Sequence, residues 1–149
     1  MQSDWIYVPA LTEKTSIESL PQEDPLRFAK LVFWIAAIWG LLILTPLYFL
    51  FDSIGRNNPP PITHPDFFYG FVGVALAWQL AFIVIARDPV RFRPLMIPSI
   101  FEKFSYASAV FVLVSQARVH KPALVFGGVD LLFGILFVVS YFRTPARAT

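Results

Sequence analysis

The sequence predicts an all-α integral membrane protein built as a four-helix transmembrane bundle. Of its 149 residues, 56% are hydrophobic and only 15% are charged, and the mean hydropathy is +0.62. A soluble domain of this length cannot hide so much apolar surface, because small domains bury a smaller share of their chain. The apolar residues also form long runs between short polar segments, which is typical of helices that cross a ~30 Å hydrocarbon core.

The predicted domain organisation is one helical domain between two tails. Residues 1–24 are polar and acidic and lack the basic start and early apolar core of a signal peptide, so they are expected to form a cytoplasmic N-terminal tail. The transmembrane domain is placed at residues 25–144, and residues 145–149 form a cytoplasmic C-terminal tail. Pro25, at the first helical position, is a favourable start for the first helix.

The first two spans are predicted from runs without charge. The first span is placed at about 28–51 and is expected to kink at Pro46, where proline removes a backbone donor. A turn-rich loop over residues 52–66 follows. The second span is placed at about 67–87.

The third and fourth spans carry the charges that lie at membrane depth. The third is placed at about 95–117, although its charge-free part covers only residues 104–117. Extending it to full length puts two charged residues inside the span, so three spans with one re-entrant segment is the alternative. The fourth is placed at about 122–142, and Asp130 is its only charge.

The orientation is predicted from the distribution of basic residues. With four spans, one side of the membrane holds eight of them: Lys14, Arg27, Lys30, Arg87, Arg91, Arg93, Arg143 and Arg147. The other side holds three: Arg56, Arg118 and Lys121. Because cytoplasmic loops are enriched in lysine and arginine, both termini are expected to lie in the cytoplasm of a plasma or inner membrane.

Glu102, Lys103, Tyr106 and Asp130 form the candidate polar cluster. Tyr106 is one helical turn from Glu102 and Lys103, so its phenol can approach either. Asp130 lies near the middle of the fourth span, and Lys103, offset in depth by roughly 8 Å, is its predicted counter-ion. The cluster is either an ion pair that fixes helix register or a polar cavity in which a carboxylate exchanges protons or receives a ligand. Glu102 could instead extend to the cytoplasmic interface.

Small residues predict two helix-packing faces. Gly127, Asp130 and Gly134 share one face of the fourth span, where a neighbouring helix can come close. The second span carries a stripe that is also predicted to pack: Gly70, Gly73, Ala77 and Ala81. Gln79 lies away from that stripe, and it is either a further polar partner of the cluster or a contact between subunits.

Basic and metal-binding residue types offer few other sites. Arg87, Arg91 and Arg93 are candidates for holding anionic lipid head groups, with a simple positive-inside loop as the alternative. The dispersed positive charge does not form a nucleic-acid patch. The absence of cysteine excludes disulfides, thiolate metal sites and a cysteine nucleophile. No metal site or cofactor is expected, since a site built from His64, His120 and Asp66 would rest on weak spacing.

The region from Phe67 to Thr144 resembles small bacterial four-helix membrane proteins, loosely those of the DoxX-like group. The resemblance rests on helix number, size and an acidic residue in the last helix, in the stretches FFYGFVGVALAWQLAFIVIARDP, RFRP, IFEKFSY and GGVDLLFGILFVVSYFRT. It covers a little over half of the chain. It implies a bacterial inner-membrane protein, and it carries over no catalytic residue.

Three functions fit these observations. The first is an accessory or structural subunit that packs against itself or a larger membrane complex. The second, ranked slightly lower, is a binding protein or enzyme for a small lipophilic molecule that uses the intramembrane acids. The third is a proton-coupled carrier. No nucleotide-binding, serine-hydrolase or zinc-protease motif is present in the sequence, which favours a protein that is not an enzyme.

Overall fold

A computed structural model describes residues 25–57 and 61–146, and these residues are helical with short connections. The helices are α1 (Pro25–Leu44), α2 (Leu47–Asn57), α3 (Pro65–Arg87), α4 (Met96–Ser115) and α5 (Ala123–Arg143), with a 3₁₀ turn, Arg93–Leu95, before α4. No strand occurs within those two ranges. The predicted N-terminal tail and the last three residues lie outside them.

Four of the segments are long and apolar enough to cross a membrane. They are Leu26–Leu44, Pro65–Arg87, Arg93–Ser115 and Ala123–Arg143. The third includes the 3₁₀ turn and reaches 23 residues, the same length as the second. The predicted all-α fold with four helices long and apolar enough to cross a membrane is therefore confirmed, and the third segment is helical across its charged residues as well as its charge-free part.

The first span is shorter than predicted, because Pro46 ends α1 instead of kinking it. Proline lacks an N–H and its ring collides with the carbonyl four residues earlier, so the α-helical ladder stops. The chain tightens there: the Tyr48 amide donates to the Thr45 carbonyl at 3.3 Å, and the Phe49 amide donates to the Pro46 carbonyl at 2.9 Å. Helix α2 then continues to Asn57, so the first part of the predicted loop is helical.

The two ends of the bundle differ in packing. We call the end where α1 begins and α5 ends the termini end, and the opposite end the distal end. The main apolar core lies toward the termini end and includes residues from α1, α3, α4 and α5. Its centre is a trio of rings in which Phe33 stacks on Phe137 at 4.1 Å between centroids, and Phe82 meets Phe137 at 5.0 Å.

The helices associate as two pairs. Helix α1 packs mainly on α3, helix α4 packs mainly on α5, and contacts between α1 and α5 join the pairs. Two glycines of α5 allow α4 and α5 to pack closely. A Cβ at Gly127 would lie 2.9 Å from Val110 of α4, and one at Gly134 would lie 3.2 Å from the Phe104 ring. The predicted packing face on the fourth span is therefore confirmed.

The small-residue stripe predicted to pack on the second span packs only in part within the chain: Gly73 and Ala81 are half-buried, and a Cβ at Gly73 would lie 3.3 Å from the Tyr48 hydroxyl. Gly70 and Ala77 are exposed, whereas α3 buries a different set: Val72, Ala75, Gln79, Phe82, Ile85 and Ala86. The reason is that α1 supplies the small residues at this contact, namely Ala36, Ala37 and Gly40. Helix α3 therefore fits larger side chains against them.

Candidate functional site

Three charged side chains meet between α4 and α5. The Lys103 ammonium donates to both Asp130 carboxylate oxygens at 3.2 Å. A Glu102 oxygen lies 3.3 Å from the same nitrogen. The exposed fractions of the side chains are 8% for Lys103, 20% for Glu102 and 16% for Asp130. The predicted contact between Lys103 and Asp130 is present, and Glu102 joins it instead of reaching toward the termini end.

The close packing of α4 on α5 places this ion cluster. Gly127, Asp130 and Gly134 are three and four residues apart, so they share the face of α5 that meets α4. The glycines let the backbones approach, and the carboxylate between them faces Lys103. The ammonium also lies 5.4 Å from the Phe82 ring centroid, at the boundary of the apolar core. The charges thus sit directly beside the core.

The ion cluster is unbalanced in charge. With both carboxyl groups ionised, one ammonium serves two negative charges. The Lys103 hydrogen bonds go to Asp130, and the buried Glu102 Oε2 accepts no hydrogen bond from a described residue although it lies within ion-pair distance. Glu102 Oε2 therefore has an ion-pair partner in Lys103 but no hydrogen-bond donor of its own, and desolvation of a charged oxygen is costly unless donors compensate it.

Gln79 of α3 is the second polar side chain of interest. Only 2% of it is exposed. Its Nε2 donates to the Ala75 carbonyl at 2.9 Å, which fixes the orientation of the amide, and its Oε1 is buried with no hydrogen-bond partner among the described residues. The amide packs against Gly40 of α1, where a Cβ would overlap it. The alternative that Gln79 contacts another subunit is therefore wrong.

A cavity of about 540 Å³ lies between the two helix pairs, on the distal side of the core. Its polar lining residues are Gln79, Glu102, Lys103, Ser105, Tyr106 and Asp130. Its aromatic walls include Trp39, Phe71, Trp78 and Phe126. The ion cluster and the Gln79 amide therefore form the polar floor of the cavity, and the aromatic rings form its apolar walls.

Tyr106 closes one side of the cavity. Its ring lies nearly parallel to that of Phe71, with 6.2 Å between centroids and 22° between planes, and the pair bridges α4 and α3. Its hydroxyl makes no hydrogen bond to Glu102 or Lys103, whose predicted approach to the phenol is replaced by this ring contact. Helices α3 and α4 otherwise touch little. The Phe71–Tyr106 ring pair is therefore one of the few contacts between α3 and α4.

The aromatic wall residues were not predicted as site residues. Phe126 is four residues before Asp130, and Phe71 is eight before Gln79, so each lies above a polar residue on its own helix face. That spacing from an intramembrane polar residue is the signal that could have identified them.

The basic residues near the termini end divide into two kinds. Arg87 and Arg91 are exposed. Arg93 is half-buried: its Nε donates to the Tyr141 carbonyl at 3.2 Å, and its guanidinium lies 3.9 Å from the Tyr141 ring centroid. Arg93 therefore holds the turn before α4 against α5, while the two exposed arginines stay available to solvent or lipid head groups.

No group of three or more histidine, aspartate or glutamate side chains that could hold a metal ion occurs in the part of the chain that the structure describes. No protein-family model, curated protein or solved structure matches this chain. The fold and the site define it as an all-α bundle with four helices suited to a membrane and, between its helix pairs, a mostly apolar cavity with an ion cluster at its floor.

Gly40→Ala is expected to displace the Gln79 amide without unfolding the protein. The added methyl group would overlap the amide, which is the flexible end of its side chain and borders the cavity, so it can move. The side-chain amide resonances of Gln79 should shift in NMR spectra. Gly70→Ala is the control, because its Cβ would meet nothing within 4 Å. Unchanged Gln79 resonances in Gly40→Ala would contradict the contact.

Proposed function

We propose that this protein binds a small amphipathic molecule in the cavity between its helix pairs. The observation that carries the proposal is a space of about 540 Å³ with a buried ion cluster at its floor and aromatic walls. Binding sites for small molecules are concave and mostly apolar, enclose roughly 300–1,000 Å³ and place a few polar groups to orient the ligand. This cavity has each of those properties.

The cavity also favours binding over a purely structural role for the ions. A purely structural ion pair would be expected in a closely packed interior, because an interior at native density leaves few voids larger than water. Here the carboxylates outnumber the ammonium, and open space adjoins them. Charged groups at membrane depth are costly and characteristically mark ligand or ion pathways.

We further propose that the ligand reaches the cavity from the lipid. The α3–α4 side is bridged by Phe71 and Tyr106 and has few other contacts. Wall residues on both helices, including Val74, Ser105 and Ala109, are exposed on the bundle surface. A molecule with an apolar body that dissolves in the bilayer would meet this side directly.

The proposed setting is a bacterial inner membrane with both termini in the cytoplasm. It is supported by the four membrane-suited helices and by eight basic residues on one side against three on the other. In this setting the termini end faces the cytoplasm, and Arg87 and Arg91 would meet anionic lipid head groups.

A role as a subunit of a larger assembly is the second candidate. It is favoured by the outward position of Gly70 and Ala77, since small residues let helices approach closely in membranes. This role does not use the cavity, so the two candidates are separable by experiment.

A cavity-filling variant tests the binding function. Ala109 lines the cavity and is exposed, so Ala109→Trp should fill the space without entering the core. Ala77→Trp places the same ring on exposed α3 surface outside the cavity. In zwitterionic nanodiscs, native mass spectrometry should detect decanol or decylamine on the wild type and on Ala77→Trp, but not on Ala109→Trp. Equal retention by all three proteins, or none by any, would overturn the proposal.

A further inference from the structure

Two side chains that line the cavity carry buried oxygens without hydrogen-bond donors. Glu102 Oε2 and Gln79 Oε1 are both buried, and neither has a hydrogen-bond partner within residues 25–57 and 61–146. They belong to different helices, α4 and α3, and both side chains line the same cavity. The amide nitrogen of Gln79 is already committed to the Ala75 carbonyl, so that side chain offers an acceptor. A ligand that satisfies this site must bring donors.

The charges favour a cation over an anion. Among the described residues that line the cavity, Lys103 is the only basic one, and it is held at 3.2 Å by Asp130. A ligand carboxylate or phosphate would have to displace Asp130 to reach it and would meet a second negative group at Glu102. A protonated amine instead finds an excess carboxylate, and its N–H groups would form charge-assisted hydrogen bonds.

The walls suit the rest of such a molecule. Trp39, Phe71, Trp78 and Phe126 provide apolar area for a hydrocarbon body. The faces of tryptophan and tyrosine rings also attract an organic cation within about 6 Å. The site thus combines a negative floor, buried acceptors without hydrogen-bond donors and aromatic walls.

We infer that the cavity takes a lipophilic amine whose protonated nitrogen donates to Glu102. This inference rests on the proposed binding function and specifies its ligand class. Asp130 then acts as the group that holds Lys103 away from the incoming amine, and Glu102 carries the charge that the amine neutralises.

Ligands of equal chain length test the inference on the unaltered protein. Decylamine, decanol, decanoate and decyltrimethylammonium would be titrated into the protein in zwitterionic nanodiscs at neutral pH, with empty nanodiscs as the reference for partitioning. Decylamine should bind about tenfold more tightly than decanol, as expected for a charge-assisted hydrogen bond. Decanoate should bind most weakly, and decyltrimethylammonium, which has no N–H, should fall below decylamine.

Glu102→Gln then tests whether the Glu102 carboxylate causes the preference for decylamine over decanol. The variant should lose the roughly tenfold advantage of decylamine over decanol. Asp52→Asn, which removes an exposed carboxylate on α2, should keep the advantage. Equal binding of decanol and decylamine, or an advantage that survives Glu102→Gln, would overturn the amine inference and leave the binding function intact. Failure of all four ligands to bind would overturn the binding function itself.

Discussion

Lys103→Met is expected to lower the free energy of unfolding by about 3–5 kcal/mol, the usual cost of breaking a buried ion pair by removing one partner. The substitution keeps the length of the side chain but leaves Glu102 and Asp130 together without a base. Both carboxylates are largely buried, so the loss is not relieved by water. Reversible unfolding in mixed detergent micelles measures the change.

Two further variants show whether the loss of stability comes from breaking the ion cluster or from removing any lysine. Lys121→Met removes an exposed lysine and should leave stability within about 0.5 kcal/mol of the wild type. Adding Asp130→Leu to Lys103→Met should restore much of the loss, because an apolar replacement of an ion pair is often neutral. A Lys103→Met protein as stable as the wild type would show that the cluster contributes nothing to folding.

Gly127→Ala and Gly128→Ala should change stability in opposite directions although they are adjacent on one helix. A Cβ at Gly127 would lie 2.9 Å and 3.1 Å from the Cγ1 and Cβ of Val110, a stiff β-branched residue, whereas a Cβ at Gly128 would meet nothing within 4 Å. Overpacking at Gly127 should cost about 1–3 kcal/mol. Both variants gain up to about 1 kcal/mol of helix propensity.

The difference in stability between Gly127→Ala and Gly128→Ala measures the packing of α4 on α5, because the gain in helix propensity is the same in both variants and cancels. Thermal unfolding in the same nanodisc lipid gives that difference. Gly127→Ala should also weaken ligand retention, since a wider gap between α4 and α5 would separate Lys103 from Asp130. Equal melting temperatures for the two proteins would mean that the helices do not approach as closely as described.

Local patterns in the sequence were sufficient to predict the four long helices and one contact, but not the separate helix α2. Long charge-free runs determine where a chain can cross hydrocarbon, and this holds whatever the neighbours are. The Lys103–Asp130 contact was also predictable, because a lysine and an acid at similar depth have few other partners inside a membrane. The face formed by Gly127 and Gly134 followed from their spacing alone.

Features that depend on the neighbouring helix were not predictable in the same way. The stripe containing Gly70 and Ala77 was assigned to packing, but the small residues of α1 decide which face of α3 is buried. Gln79 turns inward for the same reason, since Gly40 leaves room for its amide. The cavity arises from the separation of two helix pairs, and no single helix carries a pattern for it.

Packing at the termini end has a consequence for motion. Each helix pair is tightly packed within itself, at Gly40 against Gln79 and at Gly127 against Val110. The two pairs are joined mainly through the ring trio of Phe33, Phe82 and Phe137. Regions with dense buried contacts open rarely, and regions with few open often. We therefore expect the softest motion of the bundle to move one helix pair against the other about the termini end, which would change the width of the cavity and leave the core undisturbed.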